Sequence, residues 1–303
     1  MKYFILTVDT EGDNLWDYKK GDAVHCDNVR FIPRFQQLCE RYGIKPVYLT
    51  NYEIISDYDF VKYISPKAQA KFCEVGIHIH AWNNPPLFEL DDIYHGNPYL
   101  IEYPYEIMSE KLGVTYNLIK DRIGIEVKSH RAGRWAMDDN YFALLKQFNI
   151  PIDCSFTPFV NWKNAPGSTL VQGSDYSHVS SLPHYVNGIF EVPLTVRKHH
   201  FMGNRSMRQR LKALIKGDVV WARPATQSVA TLIELLNEVT KDKQCDYVEF
   251  MIHSSELMPG GSPYFKTEKD IERLYKGLEQ VFVYATTNGY EGVTLEEYYN
   301  LKR

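Results

Sequence analysis

The order of strand and helix signals narrows the fold of this chain more than any other feature. "KYFILTVD" is a β-rich run. Residues 28 to 42 then place Ile32, Phe35, Leu38, Cys39 and Tyr42 at helical spacing and stop at Gly43. "KPVYLT" reads as the next strand, a helix over 57–72 leads to "EVGIHIH", and a helix over 105–123 leads to "EVKSHRAGRW". A helix over 138–148, "PIDCSF", "IFEVPLTV", a helix over 227–240, "YVEFMIHSS" and a helix opened by the capping signal of "TEKD" complete the series. Such alternation predicts an α/β protein with parallel strands joined by right-handed helical crossovers, either a barrel or an open doubly wound sheet.

In both architectures chemistry collects at the carboxyl ends of the strands. Here the polar runs "VDTEGD", "HIHAW", "HRAGRW", "DCSFTP" and "HSSE" all follow strand signals. Residues 82–104 and 155–190, rich in Pro, Gly, Asn and aromatics, read as long loops of a single domain over 1–303. With 44% hydrophobic and 24% charged residues, the 303-residue chain has the make-up of a soluble protein. A formal charge of -4 argues against nucleic acid as a partner. The five scattered cysteines form no C-x-x-C pair, and no segment has spanning length. A reducing, cytoplasmic setting and no integral membrane segment are therefore expected.

His78 and His80 stand one residue apart at a strand end and so share a face, an arrangement that suits a metal. It suits an ordinary polar strand end equally well. Likewise, Asp9 to Asp13 reads as a solvated turn, "RAGRW" as surface arginines beside a packed Trp135, and "DCSFTP" as a local Asp or Ser turn. Cys154, with no histidine beside it in sequence, reads as packing.

Taken in order, "TVDTE", "GIHIHAW", "RAGRW", "DCSFTP" and "IHSSEL", spread from residue 7 to residue 257, resemble the five motifs of the NodB-like polysaccharide deacetylases (carbohydrate esterase family 4), in particular a cytoplasmic surface-polysaccharide branch. The resemblance implies a distorted (β/α) barrel of about seven parallel strands. It also implies a metal-dependent hydrolase that removes an N-acetyl or N-formyl group from an amino sugar during surface polysaccharide or lipopolysaccharide synthesis. Carried over by position, Asp9 matches the general base and Arg131 the arginine that pairs with it. His253 matches the general acid, Asp153 the carboxylate that orients it, and His78 the first metal-binding histidine. Trp82, Arg134, Trp135 and Glu256 fall where substrate contacts are expected.

Two positions depart from the family pattern. Thr10 stands where a second acidic residue usually follows the base, and Trp82 stands where the second histidine usually falls. Because His80 shares a face with His78, the expected ligand set becomes His78, His80 and one carboxylate, Glu11 ahead of Asp13. Zinc suits two imidazoles and a carboxylate best, and other first-row metals are compatible.

From Arg197 to Lys216 the chain carries seven Lys or Arg and no acidic residue. This basic segment, expected to be helical, reads as a solvated helix, as a receiver of phosphates on a nucleotide-linked or lipid-linked carbohydrate, or as a peripheral membrane contact. Tyr99, Tyr103, Tyr105, Trp162 and Tyr264 are candidate sugar platforms as well as candidate core residues. Two other functions stay open: an inactive barrel that binds a carbohydrate or partner, and hydrolysis of a non-sugar amide.

Overall fold

The computed structural model describes residues 1–198 and 219–303. Its main sheet contains β1 (Lys2–Thr10), β2 (Pro46–Thr50), β3 (Glu74–Ile79), β4 (Ser129–Ala132), β5 (Ile152–Asp153), β6 (His184–Val186), β7 (Ile189–Glu191), β10 (Tyr247–His253) and β11 (Tyr290–Gly292). In the order β10-β1-β2-β3-β4-β5-β7 every neighbouring pair is parallel. The sheet curls with helices packed on its outside, and this is the distorted barrel of parallel strands that the family resemblance implied. After β7 the chain crosses the remaining gap: Leu194 N–H bonds the Phe156 carbonyl at 2.9 Å and Thr195 N–H bonds the Glu249 carbonyl at 3.3 Å.

Helices α1 (Ile32–Arg41), α3 (Tyr58–Gln69), α4 (Tyr105–Ile123) and α5 (Asp139–Gln147) follow the expected periodicities, as do α6 (Val229–Lys241) and α7 (Glu268–Thr287), whereas the short α2 (Tyr52–Ser56) was not expected. Thr267 caps α7 in a reciprocal box with Asp270. Other elements also went unread in the sequence. Strand β6 pairs antiparallel with β7 through Asn187-Gly188, both at positive φ, the backbone that Asn-Gly hairpin turns require. Strand β11 joins the lower end of β1. The last helix, α8 (Leu295–Lys302), seals the amino-terminal end of the barrel, where Tyr298 lies fully buried among Tyr3, Tyr247 and Phe190. Of the basic segment, Arg197 and Lys198 belong to β8 (Val196–Lys198), which pairs with β9 (Val219–Trp221); residues 199–216, with the expected helix, lie outside the described residues. No helix among the described residues is long and apolar enough to cross a membrane.

Strand parity decides what the barrel encloses. In β1, Val8 faces the helices while Thr7 and Asp9 face inward, and in β10 Glu249, Met251 and His253 face inward to meet them. At the end of β4, Gly133 lies so near β3 that a Cβ there would sit 2.1 Å from the Ile79 carbonyl oxygen, so only glycine permits this approach. Arg134 and Trp135 follow at φ 57° and 55°, a left-handed backbone that is costly for residues with side chains.

The loop after β3 is held by one buried cation. Lys111 on α4 donates from Nζ to the carbonyls of Ala81, Asn84 and Pro86 at 2.9, 2.7 and 2.6 Å, and Asn84 answers by donating to the Lys111 carbonyl at 2.8 Å. Burial pushes this ammonium down to about 8, which still leaves it charged at neutral pH. Replacing it strands three buried carbonyls. Lys111→Met is expected to lower unfolding free energy by about 2–3 kcal/mol in a urea melt; an unchanged midpoint would show that water replaces the ammonium without loss.

Candidate active site and metal centre

The carboxyl ends of β1, β3, β4 and β10 converge because register aligns them. Asp9 is level with His253 on one side, and His78 is level with Arg131 on the other. Arg131, fully buried, donates to Asp9 Oδ1 from Nη1 at 2.6 Å, to Thr7 Oγ1 from Nη2 at 3.0 Å, to Glu249 from Nη2, and to the Cys154 carbonyl from Nε at 3.1 Å. Burial alone would raise the Asp9 carboxyl, but the Arg131 guanidinium, with His78 and His253, outweighs it and holds the group below its ordinary range. Asp9 is therefore an ionised carboxylate at neutral pH, with Oδ2 turned toward His253 Nε2 at 3.8 Å.

Three further side chains converge beside Asp9. His78 Nδ1 lies 3.0 Å from the Arg131 carbonyl oxygen, which can only accept, so Nδ1 carries a proton and Nε2 is the nitrogen turned toward the cluster. That Nε2 lies 3.0 Å from His80 Nε2 and 3.4 Å from Glu11 Oε2; His80 Nε2 and Glu11 Oε2 are 2.6 Å apart. Burial pushes the Glu11 carboxyl up, yet His80 and then His78 bring it well below its usual range. Glu11 is held by Asn28, whose Nδ2 donates to the Glu11 carbonyl at 2.7 Å and to Ser254 Oγ at 2.9 Å.

This donor set fits a divalent metal. Ligands about 2.0–2.1 Å from a tetrahedral ion stand about 3.3 Å apart. Two of the three edges are within a few tenths of that value, and the His80–Glu11 edge, now of hydrogen-bond length, must open. His80 Nδ1 is buried without a hydrogen-bond partner, so the second-sphere acceptor found behind His78 is missing behind His80. Among the described residues, Glu11, His78 and His80 form the one group of ligating side chains close enough to share an ion. With zinc added and the excess dialysed away, about one equivalent should remain on the native chain. None should remain on the His78→Ala, His80→Ala double variant, and equal retention by both would remove this site from consideration.

Several expected positions lie elsewhere. Asp13 is not in the cluster; its Oδ2 accepts the Asn28 backbone N–H at 3.2 Å and fixes the turn into the helical stretch that follows. Asp153 does not reach His253. Its register partners are His130 and Glu191, so it points to the helix-packed face, where His130 Nδ1 and Ser155 Oγ each lie 2.7 Å from its Oδ1 and His130 Nε2 meets Tyr141 Oη at 2.8 Å. Arg134, placed among substrate contacts by the sequence, is spent on the scaffold: it donates to the Asn97 and Pro166 carbonyls and stacks on Tyr99. Glu256, placed there too, is fully buried and bonds Arg223 Nη2 at 2.8 Å. Tyr99 and Tyr103 are core residues. Cys154 is buried, and burial drives its thiol well above the ordinary range, in keeping with packing.

Aromatic rings wall the cluster. Trp82, in the position of the missing histidine, stands edge-on to His80 with centroids 4.5 Å apart, and Tyr18 lies beyond it. On the other side Trp16 stands edge-on to His253 at 4.9 Å, with Tyr264 next to it. Trp135 stacks on Trp162 at 4.9 Å and, with Trp221, covers Leu194, Val196 and Met251. Trp16, Asn28 and Arg223 were not singled out in the sequence. The available signals were weak: a Trp within the loop after the first motif, and in "WARP" an Arg closing a short strand just before a proline.

No family model and no curated protein matches the chain. Solved structures do. A provisionally named polysaccharide deacetylase from Mycobacterium smegmatis superposes with TM-score 0.56 at 12% identity, over 99% of this chain and 90% of that one. A family 4 acetyl xylan esterase from Clostridium thermocellum, solved with a cobalt ion, gives TM-score 0.51 at 12% identity, over 99% and 92%. A 4-alpha-glucanotransferase from Thermococcus litoralis gives 0.59 at 13%, over 99% of this chain and 40% of that longer one. At these identities the likeness establishes a shared fold.

Proposed function

We propose that this protein is a metal-dependent hydrolase that removes an N-acetyl or N-formyl group from an amino sugar. The observation that carries the reading is the meeting at the strand ends of a three-donor cluster, Glu11, His78 and His80, with an arginine-held carboxylate, Asp9, and an imidazole, His253. Amide cleavage needs an activated water, a base, support for negative charge on the acyl oxygen, and a proton for the leaving nitrogen. A bound divalent ion, zinc by donor chemistry, supplies Lewis acidity toward the water and the acyl oxygen. Glu11, His78 and His80 would hold it. Asp9, kept ionised by Arg131, accepts the water proton. His253, across from Asp9, delivers a proton to the departing nitrogen, while Trp16, Tyr18, Trp82 and Tyr264 offer apolar faces to a sugar ring.

Two structural neighbours support this class of reaction, one named as a polysaccharide deacetylase and one an acetyl xylan esterase that holds cobalt. The finer reading is that the sugar belongs to a cell-surface polysaccharide or lipopolysaccharide and is acted on in the cytoplasm as a nucleotide- or lipid-linked precursor. Five cysteines without a disulfide support a reducing compartment, and the basic stretch from Arg197 to Lys216 supplies charge for a phosphorylated carrier. With zinc or cobalt present, the protein should release acetate or formate from a panel of N-acylated amino sugars. Asp9→Asn should lower kcat by about 10²–10⁴-fold at unchanged metal content, and retention of full turnover by this variant would overturn the assignment of the base.

A further inference from the structure

The fold sends Asp153 to the outer face, so another group must orient His253, and two buried residues occupy its Nδ1 edge. Arg223 Nη2 lies 3.3 Å from Nδ1, and Glu256 Oε1 lies 3.6 Å from it. These two are tied to each other, since Arg223 Nη2 also donates to Glu256 Oε1 at 2.8 Å. Glu256 Oε2 in turn accepts the backbone N–H of His253 at 3.3 Å, which anchors the carboxylate to the residue it serves. Arg223 is 7% exposed and Glu256 0%. Trp16 closes one side of the imidazole, with its own Nε1 donating to Ser255 Oγ at 3.0 Å.

We propose that Arg223 and Glu256 are the positioning residues of His253, holding its Nδ1 edge where the sequence resemblance would have placed Asp153. The proposal rests on the reading of His253 as proton donor. In the neutral ring Nδ1 accepts from Arg223, which has no acceptor of its own, and in the imidazolium Nδ1–H faces Glu256 Oε1, so in both forms a proton sits on Nε2. That nitrogen is the one that faces the site, 3.8 Å from Asp9 Oδ2 and 4.0 Å from Glu11 Oε1. Glu256 compensates the Arg223 charge, so the cation can sit against an imidazole inside the protein. In the reaction the water oxygen bonds the acyl carbon and its proton passes to Asp9. The C–N bond breaks as the nitrogen takes the Nε2 proton of the imidazolium, which leaves a neutral ring, and the proton on Asp9 restores the imidazolium. Amide and water become carboxylic acid and amine.

The test pairs two substrates with a spectroscopic readout. An N-acetylated amino sugar has a leaving nitrogen that needs a proton; 4-nitrophenyl acetate releases a phenolate that does not. Glu256→Gln and Arg223→Lys should lose about 10²-fold in kcat on the amide, with KM within about twofold and ester turnover unchanged. Nitrogen-15 spectra of the neutral ring, assigned by the signals missing from His253→Gln, should show an unprotonated Nδ1 and a protonated Nε2 in the parent and a mixture of tautomers in both variants. Asp153→Asn should keep the parent's amide-to-ester ratio and its His253 spectrum. Equal loss on both substrates in the Glu256 and Arg223 variants, or a His253 spectrum that responds to Asp153→Asn and not to Glu256→Gln, would overturn the proposal. Full amide turnover by His253→Gln would instead overturn the hydrolytic reading, and the spectra would still decide whether Arg223 and Glu256 set the tautomer.

Discussion

A guanidinium sealed inside the barrel sets the terms for everything around it. Arg131 has no water to turn to, so its charge must be met by Asp9 and Glu249 and its remaining hydrogens by Thr7 and the Cys154 carbonyl. Removing Arg131 would leave two buried carboxylates without their cation, at a cost of about 3–5 kcal/mol. The same residue works twice. Its side chain fixes the ionisation of Asp9 while its carbonyl oxygen accepts a hydrogen bond from His78 Nδ1–H, so the proposed base and a proposed metal ligand are oriented from a single position on β4. Glu249 is the less comfortable partner: burial raises its carboxyl despite Arg131, and one of its oxygens is buried without a hydrogen bond.

Much of this was legible in the sequence because it follows from period. Alternating strand and helix signals specify a parallel sheet, and strand ends place the polar runs at one end of it. The i, i+2 spacing of His78 and His80 put both on one face, where Glu11 meets them. Asp153 went astray because a motif shows order along the chain and not parity across the sheet. Aligned with His130 rather than Arg131, it faces the helices and joins a buried network whose other carboxylate, Glu191, is pushed up by burial and by Asp153 itself. A one-residue difference in register would have turned it inward.

Other misses have a different origin. Arg134, Asp13 and Glu256 carry charges that sequence reading assigns to ligands, yet each is consumed by backbone or buried partners visible only in three dimensions. Arg223 reaches His253 from 30 positions away along the chain, a proximity that no local pattern encodes. Asn187-Gly188, by contrast, was a readable hairpin signal inside a stretch taken for loop.

The helix that plugs the lower end has a bearing on geometry of access. With Tyr298 and its aromatic neighbours filling that opening, the barrel is a cup and not a tube. A ligand of the proposed site cannot thread it; its approach is from the rim, where Asp9 and His253 lie. Whatever enters must leave by the way it came, past the same ring of indoles and phenols, so entry and product departure share a single doorway.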